Sequence, residues 1–133
     1  MLSIANSEAI RLNLQKHFLW ESDGKLDSYH IMEPESNGVL RGDCDDYAAT
    51  LLYRLSRGRM KTFWWSLVTR KAKFWMVRDP RGGLHITLEI KGVGHTDNQK
   101  SRWTPTEDMH KTLYRVPVPM VALKMLIGKF DRT

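Results

Sequence analysis

Cys44 is the only cysteine in the chain, and it sits in the run Gly42-Asp43-Cys44-Asp45-Asp46-Tyr47-Ala48. One thiol makes neither an intramolecular disulfide nor a cysteine zinc site. Two readings remain: a small buried hydrophobe, or a nucleophile, which reacts as the thiolate. Asp43 is a favoured N-cap, so Cys44 is the first residue inside a helix, where unpaired N–H groups and the helix dipole favour an anion. Asp43, Asp45 and Asp46 oppose this, because neighbouring carboxylates disfavour a second negative charge. A nucleophilic Cys44 therefore needs a histidine to take its proton. Such a cysteine is expected to react with iodoacetamide faster than a free thiol at pH 6.

The five histidines are His17, His30, His85, His95 and His110. His17 falls in a first helix, His30 in a long loop, and His95 and His110 beside turns or irregular segments. His85 opens a strand directly after Gly82-Gly83, a place from which a side chain can face a cleft. The bland reading is a surface histidine at a strand start. The following hairpin adds a partner. Residues 84–90 and 94–98 flank Lys91-Gly92-Val93, and a turn centred on Lys91 or Gly92 puts odd positions of both strands on one face. His85 and Asp97 then face each other directly or diagonally, close enough for the carboxylate to accept an imidazole N–H. That gives a nucleophile, a base and an orienting acid in the order Cys44, His85, Asp97.

The elements that must position these groups are legible in part. Asn6 or Ser7 caps a helix to about Phe18, with Ile10, Leu14 and Phe18 on one face. Residues 21–41 carry Gly24, Pro34 and Gly38 with no sustained period, which reads as a long loop. Asp43 then caps a helix with acids in its first turn, Arg54 and Arg57 in its last, and Gly58 at the C-cap position. Residues 62–69 (TFWWSLVT) and 73–78 are rich in aromatic and β-branched types and are expected to be strands. Asp79 to Gly83 is a turn, 112–116 adds a strand before Pro117 and Pro119, and a last helix runs from about Met120 to Phe130. Helices followed by antiparallel strands give an α+β class.

With 133 residues, 41% hydrophobic and 27% charged, the chain suits one globular domain over 1–133, without repeats or low-complexity linkers. No apolar run reaches the roughly 20 residues that span a bilayer. The start MLSIANSEAIRLNLQ lacks the basic and apolar regions of a secretory signal, so the sequence is read as cytoplasmic. The net charge of +6 is uneven. Residues 54–81 hold Arg54, Arg57, Arg59, Lys61, Arg70, Lys71, Lys73, Arg78 and Arg81 against Asp79 alone. Such a block is either solvated strand ends and turns, or a contact for nucleic acid or an acidic protein.

Gly42 to Ala48 resembles the GDC-[DE]-DYA motif of the bacterial transglutaminase-like cysteine proteinases, within the papain-like and transglutaminase-like superfamily. Gly83-Leu84-His85 and Asp97-Asn98 resemble the family's later signatures, a small residue near a strand histidine and Asp-Asn at the end of the next strand. Leu84 is bulkier than the glycine of the family pattern. The likeness covers about residues 40–103, and small phage-encoded proteins look similar too, including the FWW stretch. It implies a papain/transglutaminase-like core, with the cysteine helix packed on an antiparallel sheet and a catalytic triad of Cys44, His85 and Asp97. Periplasmic relatives bind calcium through acids near the cysteine, here Asp43, Asp45 and Asp46, although a capped first turn accounts for the same residues. No other cofactor is expected.

Two functions follow from this reading. In the first, the chain is a cysteine hydrolase that cleaves a peptide or side-chain amide through a thioester. The Cys44 N–H would be one oxyanion donor, and a second would come from the 21–41 loop, with Asn37 as an option. Its partner is a protein or peptide substrate. In the second, the same scaffold is a non-catalytic, phage-type binding protein that grips a host protein or nucleic acid with residues 54–81.

Overall fold

Asp43 and Asp46 start the helix that carries Cys44 by capping each other. The Asp46 N–H donates to Asp43 Oδ1 at 3.1 Å, and the Asp43 N–H donates to Asp46 Oδ2 at 3.3 Å. This reciprocal capping box satisfies two of the donors that a helix start leaves unpaired. A computed structural model of the protein describes residues 2–21, 29–78, 84–97, 103–104 and 112–131. Among these, α1 spans Ser7–His17, β1 Phe18–Trp20, β2 Leu40–Gly42, α2 Cys44–Leu55 and α3 Met60–Val68. The second half contributes β3 Ala72–Arg78, β4 Leu84–Ile90, β5 Gly94–Thr96, β6 Thr112–Arg115 and α4 Val118–Asp131. The class is α+β. The turn read at 79–83, including Gly83, and the position of Asn98 lie outside the described residues.

Four antiparallel strands form a sheet in the order β5-β4-β3-β6. α2 packs on it through a continuous apolar core. Tyr47, Ala48, Leu51, Leu52 and Leu55 of the helix meet Phe74, Ile86, Leu88 and Ile90 of the strands, all essentially buried. Ile86, Leu88 and Ile90 of β4 thus belong to the core, and the odd residues His85, Thr87 and Glu89 share the opposite face. β1 and β2 form a separate parallel pair, Phe18 against Leu40 and Trp20 against Gly42. That pair ties the end of α1 to the residue just before the α2 cap. The long loop read over 21–41 therefore begins after one short strand and ends in another. Three residues are too few for either strand to show a period.

Residues 62–69 correct the sequence expectation: they are the helix α3 and its C-cap, not a strand. Aromatic and β-branched composition favours strands only weakly against tertiary packing. Phe63 and Leu67, four apart, are buried together with Ser66, and that spacing is helical. α2 ends earlier than the sequence suggests: its C-cap is Ser56 rather than Gly58, Arg54 is the base of its last turn, and Arg57 and Gly58 follow it as left-handed residues at φ 56° and 73°. The last helix begins two residues earlier than expected, at Val118.

Gly42 is needed for close approach. A Cβ there would stand 2.7 Å from Asp46 Cβ and 2.7 Å from Met32 Sδ. Two stability changes follow. Asp43→Ala removes the cap and lowers stability by about 0.5–2 kcal/mol. Gly42→Ala pushes on Asp46 and costs about 1–3 kcal/mol, the range for overpacking. Both are read as shifts in chemical denaturation midpoint, and unchanged midpoints would contradict the capping geometry.

Candidate active site

The β4–β5 turn sets the relation between histidine and acid. Gly92 takes the left-handed conformation, φ 85°, and the register pairs Ile90 with Gly94, Glu89 with His95 and Leu88 with Thr96. Continued by one residue, this register sets Asp97 across from Thr87, diagonal to His85 and on its face. His85 Nε2 lies 3.1 Å from Asp97 Oδ1. Both residues are buried, His85 6% and Asp97 2% exposed. The ring N–H is not well aligned with that oxygen, as is common for catalytic contacts before substrate binds. Nδ1 is the ring nitrogen left for a thiol.

Cys44 and His85 line one cavity of about 190 Å³, with Tyr29, Asp45, Met76, Ile86 and Lys124. The thiol is half-buried and donates to Asp45 Oδ1 at 3.6 Å. The Ile86 peptide N–H also reaches the sulfur. Its availability follows from the register. The β3–β6 bond from the Val116 N–H to the Phe74 carbonyl turns even residues of β3 toward β6. Odd residues of β3 and β4 bond each other, so even residues of β4 face β5. The last paired residue of β5, Thr96, stands opposite Leu88, and Ile86 lies beyond it. The cysteine helix thus meets β4 one step past the point where its neighbour strand ends.

Burial pushes the Cys44 thiol pKa well above its ordinary value, and the Asp45 carboxylate pushes it the same way; the Ile86 N–H works against them, while Asp43 adds to the rise. Burial, reinforced by the neighbouring acids, thus sets the direction. The thiol therefore holds its proton more firmly than a free one, the direction expected of a buried structural cysteine rather than of a thiol poised for ready alkylation at pH 6. Alkylation rate alone therefore does not separate a nucleophile from a structural thiol, whereas dependence on His85 does. The sign for stability is also defined. The unfolded thiol ionises above about pH 8.5 while the folded one keeps its proton, so this group's contribution is whole below that pH and lost as pH rises beyond it.

Several contributors were hidden from sequence reading. Tyr29 and Lys124 reach the cavity from distant segments, with the Tyr29 N–H on the Lys124 carbonyl at 3.0 Å and the Lys124 ammonium 5.6 Å from the Tyr29 ring centre. Nothing in local spacing links them. Tyr47 is buried one turn after Cys44, and its hydroxyl pKa is pushed up to about 12 by burial, countered by Arg11 and reinforced by Asp97. A second histidine–carboxylate contact lies along the same face, His95 Nε2 to Glu89 Oε2 at 3.7 Å, with Thr87 Oγ1 3.5 Å from His95 Nδ1. Asn37 is turned elsewhere: its Oδ1 accepts the Val39 N–H at 3.1 Å, and it does not line the cavity. His17 accompanies the end of α1, its Nδ1 2.8 Å from the Asn13 carbonyl oxygen; His110 lies outside the described residues.

The acids around Cys44 are turned to separate tasks. Asp43 and Asp46 cap the helix and Asp45 accepts from the thiol, and among the described residues no three metal-ligating side chains converge. The sequence matches no protein-family model, and no curated protein matches it.

Relieving the acid should wake the thiol. Asp45→Asn is expected to raise the alkylation rate of Cys44 at pH 7, because removing the adjacent carboxylate charge favours the thiolate. A rate unchanged from the parent, followed by mass spectrometry, would show that Asp45 does not hold the proton.

Proposed function

We propose that the protein is a cysteine hydrolase acting on a peptide or side-chain amide, of the transglutaminase-like proteinase type that its GDCDDYA run resembles. One observation carries this reading: Cys44 and His85 line the same cavity while His85 Nε2 stands 3.1 Å from buried Asp97. A merely structural cysteine needs no such pair beside it.

The chemistry must start from a thiol. His85 accepts the Sγ proton as the sulfur attacks the carbonyl carbon, and Asp97 stabilises the imidazolium that results. The tetrahedral oxyanion sits at the start of α2, where the Cys44 N–H is a fixed donor. His85 then protonates the leaving amine, and a thioester to Cys44 remains. Water, deprotonated by the same imidazole, attacks the thioester carbon, and the thiol regains its proton. Attack with simultaneous proton transfer needs no standing thiolate, which agrees with the upward push on the Cys44 pKa.

The alternative is a binding protein on the same scaffold. Incubation of a proteome with the protein, followed by mass-spectrometric reading of new N-termini and new carboxylates, separates the two. Under the enzymatic reading Cys44→Ser abolishes these products, and His85→Ala loses about as much because the members act as a unit. Asp97→Asn loses less than or as much as these two. Products that persist in Cys44→Ser would assign the cleavage elsewhere.

A further inference from the structure

Away from this cavity, α3 breaks the usual charge rule for helices. Its N-cap, Arg59, makes no side-chain capping bond, its first turn holds Lys61 and no acid, and cations there oppose the helix dipole. Arg57, Arg59, Lys61, Arg70 and Lys71 are all exposed, and none forms an ion pair among the described residues. Two of them, Arg57 and Arg70, occupy the left-handed positions that bracket the helix. Places where a sequence violates local rules without an internal partner are where an external one is expected.

That partner has a shape. Trp65 is 64% exposed, the most exposed large apolar side chain among the described residues. Lys61 precedes it by four residues, on the same helix face. Beside them is a cleft of about 280 Å³ lined by Leu2, Lys61, Thr62, Trp65, Ser66 and Lys71. It shares no lining residue with the Cys44 cavity. An exposed indole with two ammonium groups lining the same cleft, next to a helix bracketed by exposed arginines, suits a chain that alternates planar rings with phosphates. An acidic polypeptide would satisfy the cations but has no regular ring to stack on Trp65. A duplex hides its base faces.

We propose that the exposed face of α3 and its adjoining cleft bind single-stranded nucleic acid, with a base stacked on Trp65 and phosphates held by Lys61 and Lys71. The site is independent of the hydrolase reading.

The test is fluorescence anisotropy with labelled oligodeoxythymidylate, titrated with salt. Affinity should fall linearly with salt on logarithmic axes. Trp65→Ala should weaken it by about tenfold, with Trp65→Tyr restoring most of the loss. The Lys61→Gln/Lys71→Gln double variant should reduce the salt slope by about 1.4, two phosphates at roughly 0.7 each. Cys44→Ser should bind as the parent does, and thermal melting verifies that the variants fold. The proposal is overturned if the oligonucleotide does not bind at low salt, if Trp65→Ala binds unchanged, if the duplex binds more tightly, or if polyglutamate displaces the oligonucleotide as well as its unlabelled self does.

Discussion

The sulfur of Cys44 meets the Ile86 peptide N–H at an edge of β4 that β5 has already left. Had β5 run two residues further in its ladder, Ile86 would have bonded to it and the helix start would have found no donor there. The same short pairing leaves Asp97 just past the strand, free to turn toward His85. One register, fixed by the left-handed turn at Gly92, therefore brings His85 and Asp97 together and opens the edge at which the cysteine helix starts. The capping box and the close approach at Gly42 supply the other half, fixing where α2 begins.

Electrostatics decide the resting state of this site. One peptide N–H, that of Ile86, favours the thiolate, but burial and Asp45 outweigh it. The thiol is stored in its protonated form, hydrogen-bonded to Asp45. Under the proposed hydrolase reading His85 must act as a base at the moment of attack, which makes the His85–Asp97 contact more consequential than the helix dipole. A protected thiol also resists oxidation and adventitious alkylation, because both follow thiolate character.

The cap at Asp43, the cysteine helix, the β4–β5 hairpin and the α+β order were all legible, because each depends on short-range signals: a capping residue, a helical stripe, a turn glycine. The α3 helix was not, since TFWWSLVT satisfies strand composition and only burial of Phe63 and Leu67 against α2 and the sheet selects the helix. The β1–β2 pair is too short to carry a period. Within the site, the odd parity of 85 and 97 predicted their shared face, and the register selects the diagonal pairing. Tyr29 and Lys124 could not be found, because only tertiary packing of α4 brings them to Cys44. The sign of the Asp45 effect is legible in the sequence, whereas the burial that leads the upward push on the thiol is supplied by the fold.

The central claim is that Cys44 forms acyl adducts with the help of His85. Intact-mass spectrometry of the protein mixed with p-nitrophenyl acetate tests it without knowledge of the natural substrate. The account predicts a single acetyl group on Cys44, formed quickly in the parent and far more slowly in His85→Ala at the same pH. An unmodified Cys44, or acetylation at equal rates with and without His85, would contradict it.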